Sequence, residues 1–251
     1  ALPLIYAPAP TPGVATARNI GLAHTDAALI AFLDDDEAAS PRWLSGLLNA
    51  QESTGADVVF GPIRGRVPPD TGWTTDYLER FFGRAGPAET GLTHVTHGCG
   101  NSLMVRATAL PGDAPFDTAM NETGGEDDKL FTALQLRGGR FGWAADAWVD
   151  EFAPADRATL RYALTRAFAY GQSPSQMAAD RGDVFGVVKW MLVGLVQTAV
   201  WGVIALGLTI LRRPSRAEAL DRAARGLGKV LWTRGFEPKL YGTAMLSRAP
   251  R

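Results

Sequence analysis

Apolar and polar positions along the first 60 residues predict helices and strands in alternation. Uninterrupted apolar runs at 27–33 and 56–60 predict two buried strands, because their length fits a strand better than a helix. Residues 13–24 have helical character, and apolar side chains recur at helical spacing over 41–52. This alternation predicts an α/β domain with a mainly parallel sheet.

The pattern is less regular over 61–98, a stretch rich in Gly and Pro. A long irregular stretch inside a compact domain is often a substrate loop. The remaining predicted elements are a short strand at 2–6, a helix at 74–82, a strand at 103–106, a helix that runs from a glycine hinge at 124–125 to residue 137, edge or closing strands at 140–143 and 147–149, and a helix at 157–172.

Residues 190–211 form a stretch of 22 residues without a charge. About 20 such residues suffice to cross a hydrocarbon core. If the stretch crossed the membrane once, the arginine-rich residues after it would leave the cytoplasm, against the positive-inside tendency. Two crossings would need a longer stretch. The stretch therefore lies in the interface or re-enters, spans with the bias overridden, or is a buried or dimer-forming helix. We expect membrane contact.

Composition and charge narrow the class of protein. With 46% hydrophobic and 20% charged residues, the chain can form a folded core. One cysteine excludes a disulfide framework and a cysteine-rich zinc site. Residues 1–150 hold 19 acidic and 10 basic residues, whereas residues 151–251 hold 7 acidic and 15 basic. The asymmetry indicates a metal- or sugar-handling domain joined to a part that faces anionic lipid, with no nucleic-acid partner expected.

Three consecutive carboxylates, Asp34, Asp35 and Asp36, stand directly after the first predicted strand. Three adjacent like charges cannot be buried unpaired. Mg²⁺ or Mn²⁺ would remove that difficulty, because both prefer hard oxygen ligands, and ligands of open α/β sheets bind outside the carboxyl ends of strands. The simpler alternative is an acidic turn that leads into the cap of the next helix.

Two further groups of residues could carry chemistry. Glu126 and Asp127 open a predicted helix behind two glycines, and carboxylates there also favour the helix macrodipole, so helix capping is the alternative to catalysis. His94, His97 and Cys99 lie in one loop, where we expect a role in loop structure rather than contact with an acceptor substrate.

Four ordered motifs resemble those of the family 2 inverting glycosyltransferases. They are Ala17-Arg-Asn19, then Ala31-Phe-Leu-Asp-Asp-Asp36 with Pro41-Arg-Trp-Leu44, then Gly100-Asn101 with Met104-Val-Arg106, and Gly125-Glu-Asp127. Together they cover roughly residues 13–172. The resemblance implies a GT-A fold, which is a Rossmann-like α/β domain with a mixed sheet flanked by helices. It also implies a nucleotide-diphosphate sugar as donor and Mg²⁺ or Mn²⁺ as cofactor.

On the donor side, the resemblance assigns four residues. It implies that Arg18 lies near the nucleotide. Asp34 would face the ribose or the metal, and Asp35 would belong to the same donor-binding turn. Asp36 would hold the metal that bridges the diphosphate.

On the acceptor side, the resemblance assigns a second set. Gly100 and Asn101 would border the donor sugar and the acceptor. Asp127 would be the general base, and Glu126 would help to position the acceptor. One base suffices for a direct displacement that inverts the anomeric centre.

The resemblance also frames the domain organisation. Family members begin with a strand-loop-strand unit before the helix that carries Arg18, and no such unit is expected here. We therefore expect an N-terminally incomplete glycosyltransferase domain over 1–172. A membrane-associated hydrophobic or amphipathic helical region with a basic tail is expected over 173–251.

The expected function is an inverting, metal-dependent hexosyltransferase that acts on a glycan or lipid-linked acceptor. Bacterial envelope or exopolysaccharide synthesis at the cytoplasmic face of the inner membrane fits the apolar segment and the Arg-rich composition. One alternative is a nucleotidyl or phosphoryl transferase, which would require a glycine-rich phosphate-binding loop near the first strand. Another is a non-catalytic membrane-attached remnant or scaffold that has lost donor binding.

Overall fold

The structure is a computed structural model that describes residues 3–238. The chain divides into two compact units. Among the described residues, the first unit contains 3–64 and 83–151, and the second contains 65–82 and 152–238. The expected boundary at residue 172 falls inside a helix of the second unit, and the end of the expected basic tail lies outside the described residues.

Strands and helices alternate irregularly along the described chain. The strands are β1 (Leu29–Phe32), β2 (Glu37–Ala39), β3 (Val58–Phe60), β4 (Ile63–Arg66), β5 (Gly91–Thr93), β6 (Ser102–Val105), β7 (Phe141–Trp143) and β8 (Val149–Phe152). The α-helices are α1 (Val14–Ala23), α2 (Trp43–Thr54), α3 (Thr75–Phe82), α4 (Arg106–Ala109), α5 (Glu126–Leu136), α6 (Leu160–Asp180), α7 (Val184–Ile210) and α8 (Arg216–Val230).

The larger sheet has the strand order β1-β6-β3-β7-β5. It is mixed, as expected for an α/β domain, but the prediction of a mainly parallel sheet is wrong. β3 pairs in parallel with β7, whereas the pairs β1–β6, β3–β6 and β5–β7 are antiparallel. The reason is that β6 inserts between β1 and β3 and runs against both. β7 pairs with β3 on one side and with β5 on the other, so it is an inner strand rather than the predicted edge or closing strand.

The position of each strand in the sheet determines how deeply it is buried. β3 lies at the centre, and Val58, Val59 and Phe60 are fully buried. β1 lies at the edge, and its residue Leu29 is 36% exposed, so the prediction of a buried first strand is wrong. Edge strands have one row of backbone groups without a strand partner and less apolar cover.

A smaller sheet with the order β2-β8-β4 lies at the end of the acidic turn. β2 begins at Glu37, directly after the three aspartates, and pairs antiparallel with β8. Three residues carry too little periodicity to be read from sequence, which explains why β2 was not predicted. β8 begins at Val149, where the predicted strand 147–149 ends.

The helices of the first unit follow the sequence pattern closely. α1, α2 and α5 lie within about two residues of their predicted bounds, which is the usual uncertainty at helix ends. The predicted strand at 2–6 is wrong, because residues 3–6 have no regular structure, and residue 2 lies outside the described range.

The second unit is built mainly from three long helices. α6 continues past Pro174 to Asp180, eight residues beyond the predicted end of that helix. α7 has 27 residues and contains the predicted apolar stretch except for its last residue. α8 was expected to be part of a basic tail but is a helix whose buried face consists of small residues.

Candidate active site

A tight turn between β1 and β2 holds the first acidic cluster. The N–H of Glu37 donates to the carbonyl of Asp34 at 3.1 Å, and the N–H of Asp34 donates to Oε2 of Glu37 at 2.9 Å. These two bonds fix the chain direction as it passes from one sheet to the other. Asp34 and Asp35 remain exposed, and Asp36 is partly buried.

The second acidic cluster lies in the first turn of α5. Gly125 adopts a positive φ of 91° just before the helix, a conformation that glycine accepts at low cost. Glu126 is buried at 6% exposure. The carboxylate of Asp127 accepts the N–H of Cys99 at 3.0 Å with Oδ2 and the N–H of Asp128 at 2.9 Å with Oδ1. These bonds orient the Asp127 carboxylate against the loop that contains Cys99.

Arg18 connects the two clusters. Its Nη1 donates to Oε1 of Glu126 at 2.6 Å, and its Nη2 lies 3.6 Å from Oδ1 of Asp34. Burial would lower the pKa of Arg18, but the negative charges of Asp34, Glu126 and Asp127 together raise it. The structure therefore brings together three residues that the sequence analysis had assigned to three separate motifs.

Burial favours the neutral form of Glu126, whereas Arg18 keeps its charge. The pKa of its carboxyl group is raised, first by burial and then by the charge of Asp127, while Arg18 opposes the shift. A buried acid next to a cation is suited to hold a fixed geometry rather than to exchange protons with solvent.

Gly100 lies directly against the first acidic cluster. A Cβ atom at this position would lie 2.5 Å from Oδ2 of Asp34 and 3.1 Å from Oε1 of Glu37. A side chain at this position would clash with the Asp34 carboxylate, so the close approach depends on glycine. The loop that leads to β6 consequently approaches the acidic turn closely.

Asn101 is fully buried, and its side-chain amide is bonded within the protein. Its Nδ2 donates to the carbonyls of Pro62 at 2.8 Å and Ala147 at 3.0 Å, and its Oδ1 accepts the Nε1–H of Trp43 at 2.9 Å. Its φ of 49° lies in the left-handed region that asparagine tolerates. This arrangement holds the backbone of the loop and leaves no donor on the amide for a ligand.

Arg84 is a residue that sequence reasoning missed. Its guanidinium donates to the carbonyls of Gly100 at 2.9 Å and Gly98 at 3.0 Å. Burial lowers its pKa, and the nearby carboxylates of Glu37, Glu151 and Asp34 oppose that change. Arg84 stands in the irregular stretch before β5, where no motif or periodicity marks it. A partly buried cation therefore fixes the glycine loop beside the acidic turn.

Glu37 was also missed, because it follows the aspartate triplet without belonging to the motif. Its pKa is raised to about 7, mainly by burial and further by the charges of Asp34 and Asp36. Bonding to the Asp34 N–H and the charge of Arg84 oppose the rise. The raised pKa thus reflects mainly the partial burial of Glu37 within an acidic turn.

The other loop residues have structural surroundings. The ring of His97 lies 5.4 Å from the rings of Phe60 and Trp143, and its pKa is lowered to about 4 by burial and then by the charge of Arg84. Cys99 is buried, which raises the pKa of its thiol. His94 is exposed. These positions fit the expected role of His97 and Cys99 in loop structure.

A metal ion would have to be bound with few protein ligands. Within residues 3–238, no three His, Cys, Asp or Glu side chains are grouped closely enough to hold an ion by themselves. Mg²⁺ is commonly bound by one or two carboxylates together with substrate phosphates and water. Asp34, which is exposed, and Asp36, which is partly buried, are compatible with that kind of site.

The sequence is similar to known proteins in two comparisons. Residues 3–110 match the family described as Glycosyl transferase family 2. The chain is 32% identical over 182 residues to the succinoglycan biosynthesis protein ExoM of Rhizobium meliloti (strain 1021). The alignment covers 71% of this chain and 57% of ExoM, so the chain spans little more than half the length of that relative. The family match includes Arg18 and Gly100, whereas Asp127 lies beyond it.

Proposed function

We propose that this chain, whose residues 3–110 match the model of Glycosyl transferase family 2, is an inverting hexosyltransferase with a GT-A fold. It transfers a sugar from a nucleotide-diphosphate donor to a glycan or lipid-linked acceptor. The observation that carries this proposal is the pair of contacts from Arg18 to Asp34 and Glu126. Because of these contacts, a donor held at the first acidic cluster lies next to the second.

The donor binds at the turn between β1 and β2. Asp34 and Asp35 are exposed there and can accept hydrogen bonds from ribose hydroxyls. Arg18 is held between two carboxylates and supplies a fixed positive charge beside the nucleotide. Gly100 lets the loop before β6 pack against the Asp34 carboxylate, beside the donor sugar, and Asn101 positions Gly100 through its buried amide.

Asp127 is the general base. Two backbone N–H groups orient its carboxylate, which stays partly accessible at the start of α5. The acceptor hydroxyl oxygen forms a bond to the anomeric carbon while the bond from that carbon to the diphosphate breaks. The hydroxyl proton passes to Asp127. A single displacement from the opposite side inverts the anomeric centre, and Glu126 positions the acceptor from its place beside Arg18.

Asp34 and Asp36 would hold Mg²⁺ or Mn²⁺ together with the donor diphosphate. When bound, the ion would stabilise the negative charge that develops on the leaving diphosphate. The position of these two residues supports the assignment, because both lie in the turn between β1 and β2 and Asp34 is exposed.

We place the enzyme at the cytoplasmic face of the inner membrane, in envelope or exopolysaccharide synthesis. ExoM is described as a succinoglycan biosynthesis protein, which supports a polysaccharide product here. Of the helices in the described residues, α7 is long and apolar enough to contact a membrane. A nucleotide-sugar donor is available in the cytoplasm.

Transfer assays on the whole chain test the proposal. Incubation with a panel of uridine- and guanosine-diphosphate hexoses, an envelope lipid extract and Mn²⁺ should release nucleotide diphosphate and give a product of inverted anomeric configuration by NMR. Calorimetry should show that Asp36→Ala weakens nucleotide binding in Mn²⁺ but not in EDTA, while Asp26→Ala, an exposed control, changes neither. A chain that binds no nucleotide and turns over no donor would favour the non-catalytic scaffold.

A further inference from the structure

α7 has two chemically different sides. The exposed side consists of large apolar residues; those more than 60% exposed are Val184, Phe185, Val196, Val203, Leu206 and Ile210. The 3.6-residue period of a helix places them on one half of its circumference. The other side includes the buried residues Gly186, Gly194 and Ala205. An apolar half-cylinder of this length is unusual on a soluble surface.

The other side of α7 packs against α8 at close range. A Cβ atom on Gly194 would lie 2.6 Å from the carbonyl of Gly226, and one on Gly226 would lie 2.6 Å from Oγ1 of Thr198. Near the middle of α7, Gln197 accepts a hydrogen bond from Nζ of Lys229 at 3.0 Å. The Gln197 amide in turn donates to the carbonyl of Arg222 at 2.7 Å.

This packing argues against a simple crossing of the membrane. α8 carries six charged residues, at positions 216, 218, 221, 222, 225 and 229. If α7 crossed the bilayer, Lys229 would lie near the midplane, where a Lys or Arg costs about 3 kcal/mol. α7 is also roughly 40 Å long, which exceeds the hydrocarbon thickness of about 30 Å.

Charges around the apolar side fit an anionic lipid surface. Lys189 stands near the start of α7 with its Nζ 5.7 Å from the ring of Trp190, and Arg212 and Arg213 follow its end. Arg222 is exposed and lies over the ring of Trp201 at 4.2 Å. Residues 181–238 hold nine basic and four acidic residues. Basic residues and tryptophans beside an apolar helix face are typical of interfacial helices.

We propose that α7 lies in the plane of an anionic membrane surface, with its exposed apolar side inserted among the lipid chains and α8 beside it at headgroup level. This inference rests on the proposed membrane location of the enzyme but not on the catalytic assignments. A second copy of the chain is the competing occupant of the same apolar side, and the experiments below separate the two.

Depth measurements along α7 distinguish the orientations. Phe185→Cys, Val196→Cys and Ile210→Cys place single fluorescent labels on the exposed side near both ends and the middle, while the native Cys99 is buried. On vesicles of phosphatidylcholine and phosphatidylglycerol, lipid-attached quenchers should report one shallow depth of about 5–10 Å for all three. A deep Val196 label between two shallow ends would overturn the in-plane orientation. A label at Leu136→Cys, on the first unit and 84% exposed, should stay in water.

Co-sedimentation tests the apolar side and the charge separately. Val196→Asp/Val203→Asp should reduce vesicle binding at least about tenfold, since each buried charge costs more than 1.4 kcal/mol, whereas Leu136→Asp should not. Binding should also weaken on neutral vesicles and in high salt. Both variants should turn over donor with a water-soluble acceptor at the rate of the unmodified chain. If the unmodified chain itself showed no turnover, that result would count against the proposed function and not against the membrane orientation. A lipid-free dimer that Val196→Asp/Val203→Asp converts to a monomer, with no vesicle binding, would overturn the inference.

Discussion

Arg18 donates a hydrogen bond to Glu126 across 108 positions of sequence, and the two atoms lie 2.6 Å apart. Both side chains are largely buried, at 11% and 7% exposure. The same guanidinium lies 3.6 Å from Asp34, so a side chain from the middle of α1 connects the acidic turn to α5.

Removing the cation should leave a buried carboxylate without its partner. We expect Arg18→Met to lower the free energy of unfolding by about 2–4 kcal/mol and to abolish detectable nucleotide binding. Denaturant titration and calorimetry measure the two effects. Glu126→Gln in the same chain should restore much of the stability but not the binding. Arg137→Met, at an exposed arginine, should change stability by less than about 0.5 kcal/mol; an Arg18→Met chain as stable as this control would contradict the bridging role.

Gly100→Ala should impair donor binding more than folding. The added Cβ would meet the Asp34 carboxylate at 2.5 Å, and that carboxylate is exposed enough to move aside. We expect the KM for the donor to rise about tenfold or more while the melting temperature falls only slightly. Gly91→Ala, where nothing lies within 4 Å of the added atom, is the matched control. Unchanged donor kinetics in Gly100→Ala would show that the close approach of Gly100 to Asp34 does not matter for donor binding.

Stability should depend on pH through His97. Its pKa is lowered to about 4 in the folded protein, by burial and then by Arg84, against about 6.5 in an unfolded chain. The unfolded chain therefore binds more protons in this window. The free energy of unfolding should fall by up to about 3 kcal/mol as pH drops from about 6.5 to 4. His97→Gln should flatten this part of the curve, and exposed His94→Gln should not; equal slopes in the two variants would rule out His97 as the source.

Gly226→Ala should loosen the packing of α7 on α8. The added Cβ would lie 2.6 Å from Oγ1 and 2.8 Å from the backbone N of Thr198, and backbone atoms cannot move aside easily. We expect the free energy of unfolding of the second unit to fall by about 1–3 kcal/mol and hydrogen exchange in α7 and α8 to become faster. Gly202→Ala, on a part of α7 with nothing within 4 Å of the added atom, should be neutral or slightly stabilising. Equal exchange rates in both variants would contradict the close approach of the two helices.

Local patterns predicted the elements that carry the site but not how they meet. The helical spacing around Arg18 and the glycine hinge before Glu126 were sufficient to place α1 and α5. The insertion of β6 between β1 and β3 depends on pairing between distant strands, which no window of sequence records. The α/β alternation therefore predicted the fold class correctly and the strand directions wrongly.

Residues without a motif were missed for a related reason. Arg84 acts through its bonds to the carbonyls of Gly98 and Gly100. Nothing in the sequence distinguishes it from other arginines in the same irregular stretch. α8 was expected to be a basic tail because its charged residues dominate its composition. Its buried positions are glycine and alanine, which carry little hydrophobic signal but allow helices to approach closely.

In the proposed mechanism, the cluster at Asp127 performs the transfer while the cluster at Asp34 holds the donor. The most direct test compares sugar transfer with nucleotide binding in Asp127→Asn, using Asp128→Asn as the adjacent control. We predict that Asp127→Asn lowers the transfer rate at least about a hundredfold while its Kd for the donor nucleotide stays within about threefold of the unmodified chain. Asp128→Asn should keep both values. Near-normal turnover in Asp127→Asn would show that Asp127 is not the general base.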